Sequence, residues 1–308
     1  MLESAVVGLR LVQYAAAMVL MGSSLFLAWA LPPSDGGSDA RVRWARPLLI
    51  GAGLALAVAA ILSIGATAGV LTGSLAEGLK ARNLAAVVSE LALGKAALVR
   101  AGAAILAVVG LLATRPGRQG WLIAAALGGL ATASLGWMGH GAATDGPLGQ
   151  LHLASDVLHV LAGAVWIGAL VGFVALLAAP DPGAHRTLHR ALRGFSGIGS
   201  VLVAVLVLTG LVNSWILVGF DHLSGLWTTP YGRLLLVKLT LVVAMLCLAA
   251  ANRYRHTPAL GRALAGETAA EPALRTLRRS IALETALGFA VLAVVAGLGV
   301  LPPPAAAG

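Results

Sequence analysis

The chain has 308 residues, 59% hydrophobic and only 11% charged, with a formal net charge of +9. So much apolar sequence exceeds what a soluble core needs, which excludes a water-soluble globular domain and points to a chain that lives in a lipid bilayer. The excess of Lys and Arg does not indicate a nucleic-acid partner, because these residues load alternate loops rather than one face.

About 20 mostly apolar residues cross the hydrocarbon as a helix. Eight segments meet that length: 5–31, 47–71, 86–113, 121–139, 151–179, 196–219, 231–251 and 280–301. The fold class is therefore all-α, a polytopic membrane bundle of about eight helices forming a single integral membrane domain over 1–308. The connections are too short to hold a separate soluble domain. The N-terminal MLESAVVGLR lacks the basic stretch of a cleavable signal, so the first segment is read as a span. Its Met18 and Met21, three apart, could offer thioethers to copper(I) but read first as core filler. Arg41, Arg43 and Arg46 follow in loop 32–46. Glu90, Lys95 and Arg100 in the third span are too polar for lipid and are expected to face the bundle. Met138 and His140 end the fourth span, with Asp145 just beyond.

The fifth span carries the most informative pattern, HLASDVLHVLAGAVWIGALVGFVALL. At 100° per residue, His152, Asp156, His159 and Trp166 share an arc of roughly 80°. Loop 180–195 sets His185 and His189 among Arg186, Arg190 and Arg193, a solvated basic face. The sixth span contains Asn213 and ends at Asp221 and His222. The seventh contains Lys238 and Cys247, the one cysteine of the chain, which excludes an intramolecular disulfide and any CxxC motif. Loop 252–279 is again Arg-rich, and the eighth span contains Glu284.

Basic residues crowd loops 1–2, 3–4, 5–6 and 7–8, so the positive-inside rule sets those loops in the cytoplasm and both termini outside. An internal repeat is also visible. GKAALVR (94–100) in the third span matches GRLLLVK (232–238) in the seventh, and setting Gly22 on Gly168 places Gln13 opposite His159 and Arg10 opposite Asp156. The halves would be 1–139 and 151–308, two parallel four-helix repeats related by an axis near the membrane normal. His and Asp occupy the second half where the first keeps Gln and Arg.

With this orientation His152 lies near the outer surface and His159 about 10 Å deeper. His140, with Met138, and His222 end neighbouring spans on the same side. Imidazole suits several transition metals and thioether sulfur favours copper(I), so this group points first to copper. The expected ligands are His159, His152, His140, Asp156, Met138 and His222. Asp156 would orient a histidine or take its proton. Trp166, Lys238, Arg100, Asn213 and Glu90 would support the site, with Lys238 able to pair with Asp156 or, together with Arg100, to anchor an anionic group. An internal hydrogen-bond network is the bland alternative for the stripe. A second function class is an oxidoreductase that holds haem b between facing histidines and reduces copper(II). A third is a docking subunit that transports nothing. No GxxxxGK[ST] motif is present, so direct use of ATP is not expected.

HVLAGAVWIGAL, GFSGIGSVLVAVLVLTGLVNSWILVG, LWTTPYGRLLLVKLTLV and AANRYRHTP together resemble the CopD family of bacterial inner-membrane copper-resistance and copper-uptake proteins, most specifically from Leu151 to Pro258. His159 and Trp166 match that family's HxxxxxxW element. The resemblance implies copper movement between periplasm and cytoplasm, inward by preference, in a multi-pass protein of the bacterial inner membrane. Transport rather than enzymatic turnover is the leading expectation. The resemblance also implies a soluble periplasmic partner of the CopC type. The chain departs from fused members in lacking a CopC-like domain, and it has no Met-rich copper motif.

Overall fold

The computed structural model describes residues 2–31, 43–115, 117–139, 146–179 and 182–306. Eight helices are long and apolar enough to cross a bilayer: α1 (Glu3–Ala30), α2 (Ala45–Thr72), α3 (Ala92–Ala113), α4 (Arg118–Met138), α5 (Leu148–Ala178), α6 (Gly183–Val218), α7 (Pro230–Leu264) and α8 (Ala270–Leu298). No strand occurs among the described residues. The architecture is the expected polytopic helical membrane bundle.

Helix boundaries follow local chemistry. Thr229 caps α7, its Oγ1 accepting from Gly232 N at 3.0 Å with Pro230 in the first turn. Gly73, at φ 72°, ends α2 in the left-handed conformation that a side chain resists. The basic residues of the long connections are put to use. Arg46, at the start of α2, donates to the last carbonyls of α3 at Leu111 and Leu112 (2.9 and 2.8 Å), and Arg278 in α8 donates to Leu177 O of α5 at 2.7 Å. These carbonyls have no partner within their own helix and carry the negative end of its dipole.

Three boundaries differ from the sequence expectation. The third span begins at Ala92, not 86. Glu90 ends a separate short helix, Ala81–Glu90, and is exposed, as is Lys95 in the first turn of α3. Glu90 therefore supports no interior site. Residues from Pro182 onward are helical and continue into α6, because Ala184, Leu188 and Ala191 form a buried stripe beneath the basic face. The 252–279 connection is likewise mostly helix, α7 running on through a π-turn at Asn252–His256.

Helix α1 packs on α2, α2 on α3, α3 on α4, and α4 returns to α1; α5 packs on α6, α7 on α8, and α8 returns to α5. The two groups meet along α1 and α5, which cross where Gly22 and Gly168 remove both side chains: a Cβ on Gly22 would stand 2.9 Å from Gly168 Cα. Ser23 Oγ donates to Gly168 O at 3.1 Å at the same crossing, within a π-turn of α1. The tight α2–α3 pairing has no equivalent between α6 and α7, whose packing on each other lies mainly from Asn252 onward. Away from that end they diverge and leave a space behind them.

Candidate functional site

The seam between α5 and α6 is polar at the depth where the helices are otherwise apolar. The helices run antiparallel, so Asp156 meets Asn213 while His159 meets Thr209 four residues earlier. Asn213 Nδ2 donates to Asp156 Oδ1 at 2.6 Å, and Ser155 Oγ donates to Thr209 O at 3.1 Å. Thr209 Oγ1 gives its single proton to Val205 O at 2.6 Å, so this oxygen can only accept from His159 Nδ1, 2.8 Å away. In the neutral ring the proton therefore sits on Nδ1 and the lone pair on Nε2. This is the form in which an imidazole binds a metal, with a neighbour fixing tautomer and orientation.

Divergence of α6 and α7 produces a cavity of about 580 Å³ walled by residues of α1, α4, α5, α6, α7 and α8. Its surface is overwhelmingly aliphatic. Asp156, His159, Asn213, Lys238, Tyr14 and Tyr231 supply most of its polarity, and Trp166 lines it nearer the Arg-rich end. Trp166 donates its indole N–H to Glu284 Oε1 at 2.9 Å, and Asn252 Nδ2 donates to Glu284 Oε2 at 2.8 Å, so a carboxylate only 3% exposed has a donor on each oxygen.

The structure thus brings together five expected residues, Asp156, His159, Trp166, Lys238 and Asn213, on one cavity. It sets others apart. His152 is fully buried one turn before Asp156, its Nε2 3.9 Å from Asp156 Oδ2, and it does not line the cavity. His222 lies in the turn after α6 beside Gly219 and does not line it either. His140 lies outside the described residues. Met138 and Arg100 belong to a second polar cluster between α1, α3 and α4. There the buried Arg100 guanidinium donates to Gln13 Oε1, to Ser134 Oγ and O at 3.1 and 2.8 Å, and approaches Met138 Sδ at 3.7 Å. Arg10 Nη2 donates to Met138 O at 2.6 Å. Arg100 is thereby committed to the bundle rather than to the cavity with Lys238. Among the described residues one histidine, His159, lines the cavity.

Three participants escaped the sequence reading, Thr209, Glu284 as the partner of Trp166, and the cavity-lining Met245, while Met18, read first as core filler, lines the cavity as well. Only Thr209 had a signal. Its i, i+4 spacing to Asn213 gives α6 a polar stripe complementary to Asp156 and His159.

Residues 1–150 match the model of the copper resistance protein D-like N-terminal domain, and residues 189–298 match that of copper resistance protein D. The chain is 37% identical to copper resistance protein D of Pseudomonas syringae pv. tomato over 98% of both chains. It belongs to the copper resistance protein D family. More distant relatives include inner membrane protein YebZ of Escherichia coli K12, 28% identical over 55% of each chain, and copper transport protein CutJ of Bacillus subtilis 168, 29% identical over 48% of this chain and 25% of that protein. No solved structure matches. The second family model spans the α6 wall with Thr209 and Asn213, Lys238 on α7 and Glu284 on α8, whereas His159 and Trp166 lie between the two matched regions.

Proposed function

We propose that this member of the copper resistance protein D family carries copper across the bacterial inner membrane, inward from the periplasm, with His159 as the principal ligand. One observation carries the reading. The Thr209 hydroxyl fixes the His159 ring so that the Nε2 lone pair is available in a cavity between the membrane-spanning helices. A neutral imidazole costs far less to bury than a charged ligand, and it suits copper. Asp156, held by Asn213, supplies one negative charge at the cavity's edge to offset an incoming cation.

The loading of Arg into alternate connections supports an orientation with both termini in the periplasm. In that orientation α5 leads inward from His152 through His159 to Trp166. Delivery by a soluble periplasmic copper-binding protein of the CopC type completes the proposal, since the chain presents no Met-rich capture motif of its own.

The test is copper accumulation in cells expressing wild type or His159→Ala, with the amount of protein in the membrane measured alongside. Loss of copper-dependent accumulation at equal protein level is expected; accumulation equal to wild type would overturn the assignment. Reconstituted vesicles loaded with a copper chelator then separate transport from docking, because only a transporter delivers copper to the lumen without other proteins.

A further inference from the structure

Two methionines share the cavity with His159, and their depths form a sequence. Met18 of α1 and Met245 of α7 are 5% and 6% exposed, and both line the cavity. The Met18 Cε lies 3.6 Å from where a Cβ would stand on Gly163, one turn along α5 from His159. The Met245 Cε lies 3.4 Å from the corresponding point on Gly288 of α8, a point also crowded by the Ile167 side chain, one further turn along α5. At 1.5 Å per residue, His159, the Met18 level and the Met245 level are spaced by about 6 Å each. Glycine at 163 and 288 leaves room for each thioether to reach into the space. Beyond the last level, Glu284 lies one turn from Gly288 with Trp166 and Asn252 bonded to it, and Asn252 Oδ1 is buried with no hydrogen-bond partner.

We infer that His159, Met18 and Met245 form a ladder of soft ligands along which copper moves as Cu(I), toward the Glu284 end of the cavity; this rests on the copper reading above. The ligand chemistry selects the oxidation state. Thioether and imidazole together suit Cu(I), whereas Cu(II) prefers a tetragonal set of nitrogen and oxygen donors that one imidazole and two distant sulfurs do not make. Neutral ligands also keep the apolar wall free of further buried charge. Conduction needs several weak sites rather than one tight one, and methionine, with three rotatable side-chain bonds, can bridge steps longer than a single bond length. The two other described methionines, Met138 and Met21, do not line the cavity, and Met138 Sδ is engaged by Arg100.

The test is Cu(I) binding to the purified full-length protein under anaerobic conditions, by competition with a chromogenic Cu(I) chelator and by X-ray absorption at the copper edge. Wild type should show sulfur together with nitrogen scattering. Met18→Leu and Met245→Leu, close to isosteric, should each weaken Cu(I) binding by about tenfold and lower the sulfur contribution, while Met21→Leu should behave as wild type. Selenomethionine-labelled protein should replace copper–sulfur by copper–selenium scattering with no substitution at all. A shell of nitrogen and oxygen only, or Met18→Leu and Met245→Leu variants with wild-type Cu(I) affinity, would overturn the ladder. His159-dependent accumulation could still hold in that case. Conversely, a thioether shell with no vesicle transport would retain the ligands and overturn the transport reading.

Discussion

His159 and Thr209 are joined by a hydrogen bond of 2.8 Å whose direction is set by a third group, the Val205 carbonyl that takes the Thr209 proton. The bond does two things: it aims the ring, and it decides which nitrogen keeps its lone pair. Thr209→Val preserves shape and removes the acceptor. A neutral ring then has no reason to keep its proton on Nδ1. Copper affinity should fall by about 10- to 100-fold, the usual cost of losing a group that orients a histidine ligand, with protein abundance in the membrane little changed. Chelator competition on purified protein measures it, and wild-type affinity would remove Thr209 from the argument.

Lys238 lines the same cavity as His159 and Asp156. A fixed ammonium opposes an arriving cation, and a low-dielectric wall strengthens the opposition. Lys238→Met should therefore tighten copper(I) binding by about three- to tenfold and slow its release in vesicle transport. Weaker binding would instead show that Lys238 serves to hold Asp156 in place.

The eight spans were legible because lipid demands long apolar runs, and the His152 to Trp166 stripe because one helix fixes its own angular geometry. What lies between helices was not legible. Periodicity on α5 puts His152 and His159 on one stripe, yet neighbouring helices bury His152 completely and leave His159 on the cavity wall. That Met18 and Met245 lie beside Gly163 and Gly288 of other helices on one cavity is a relation no single-helix pattern contains. Glu90 was misplaced because its segment continues the apolar run of α3, while the backbone turns at Leu91 into an extended conformation.

The matched segments GKAALVR and GRLLLVK have a local physical cause. Gly94 packs against the Val87 backbone of the short helix Ala81–Glu90, and Gly232 packs against the backbone of Gly225 and Leu226 in the short helix Gly225–Thr228. Each glycine lets a preceding short helix lie directly on the first turn of a spanning one. The second pair equated in the sequence, Gly22 and Gly168, touch each other.

That crossing yields the last prediction. A Cβ on Gly22 would lie 2.9 Å from Gly168 Cα and closer still to the Ala164 carbonyl, and backbone cannot rotate away as a side chain can. Gly22→Ala must part α1 from α5, at an overpacking cost of about 1–3 kcal/mol, and break the bond from Ser23 to Gly168 O. Gly129→Ala is the control, since a Cβ there meets nothing within 4 Å. Thermal denaturation of the purified protein in detergent should show Gly22→Ala lowered by several degrees and Gly129→Ala unchanged or slightly raised, as alanine favours helix over glycine. Because Met18 precedes Gly22 by one turn on α1, displacement of α1 should also carry the thioether away from Gly163. Weakened Cu(I) binding in Gly22→Ala at temperatures well below its unfolding is the sign that the crossing sets the cavity's geometry, and equal stability of the two variants would show that α1 and α5 tolerate the wider spacing.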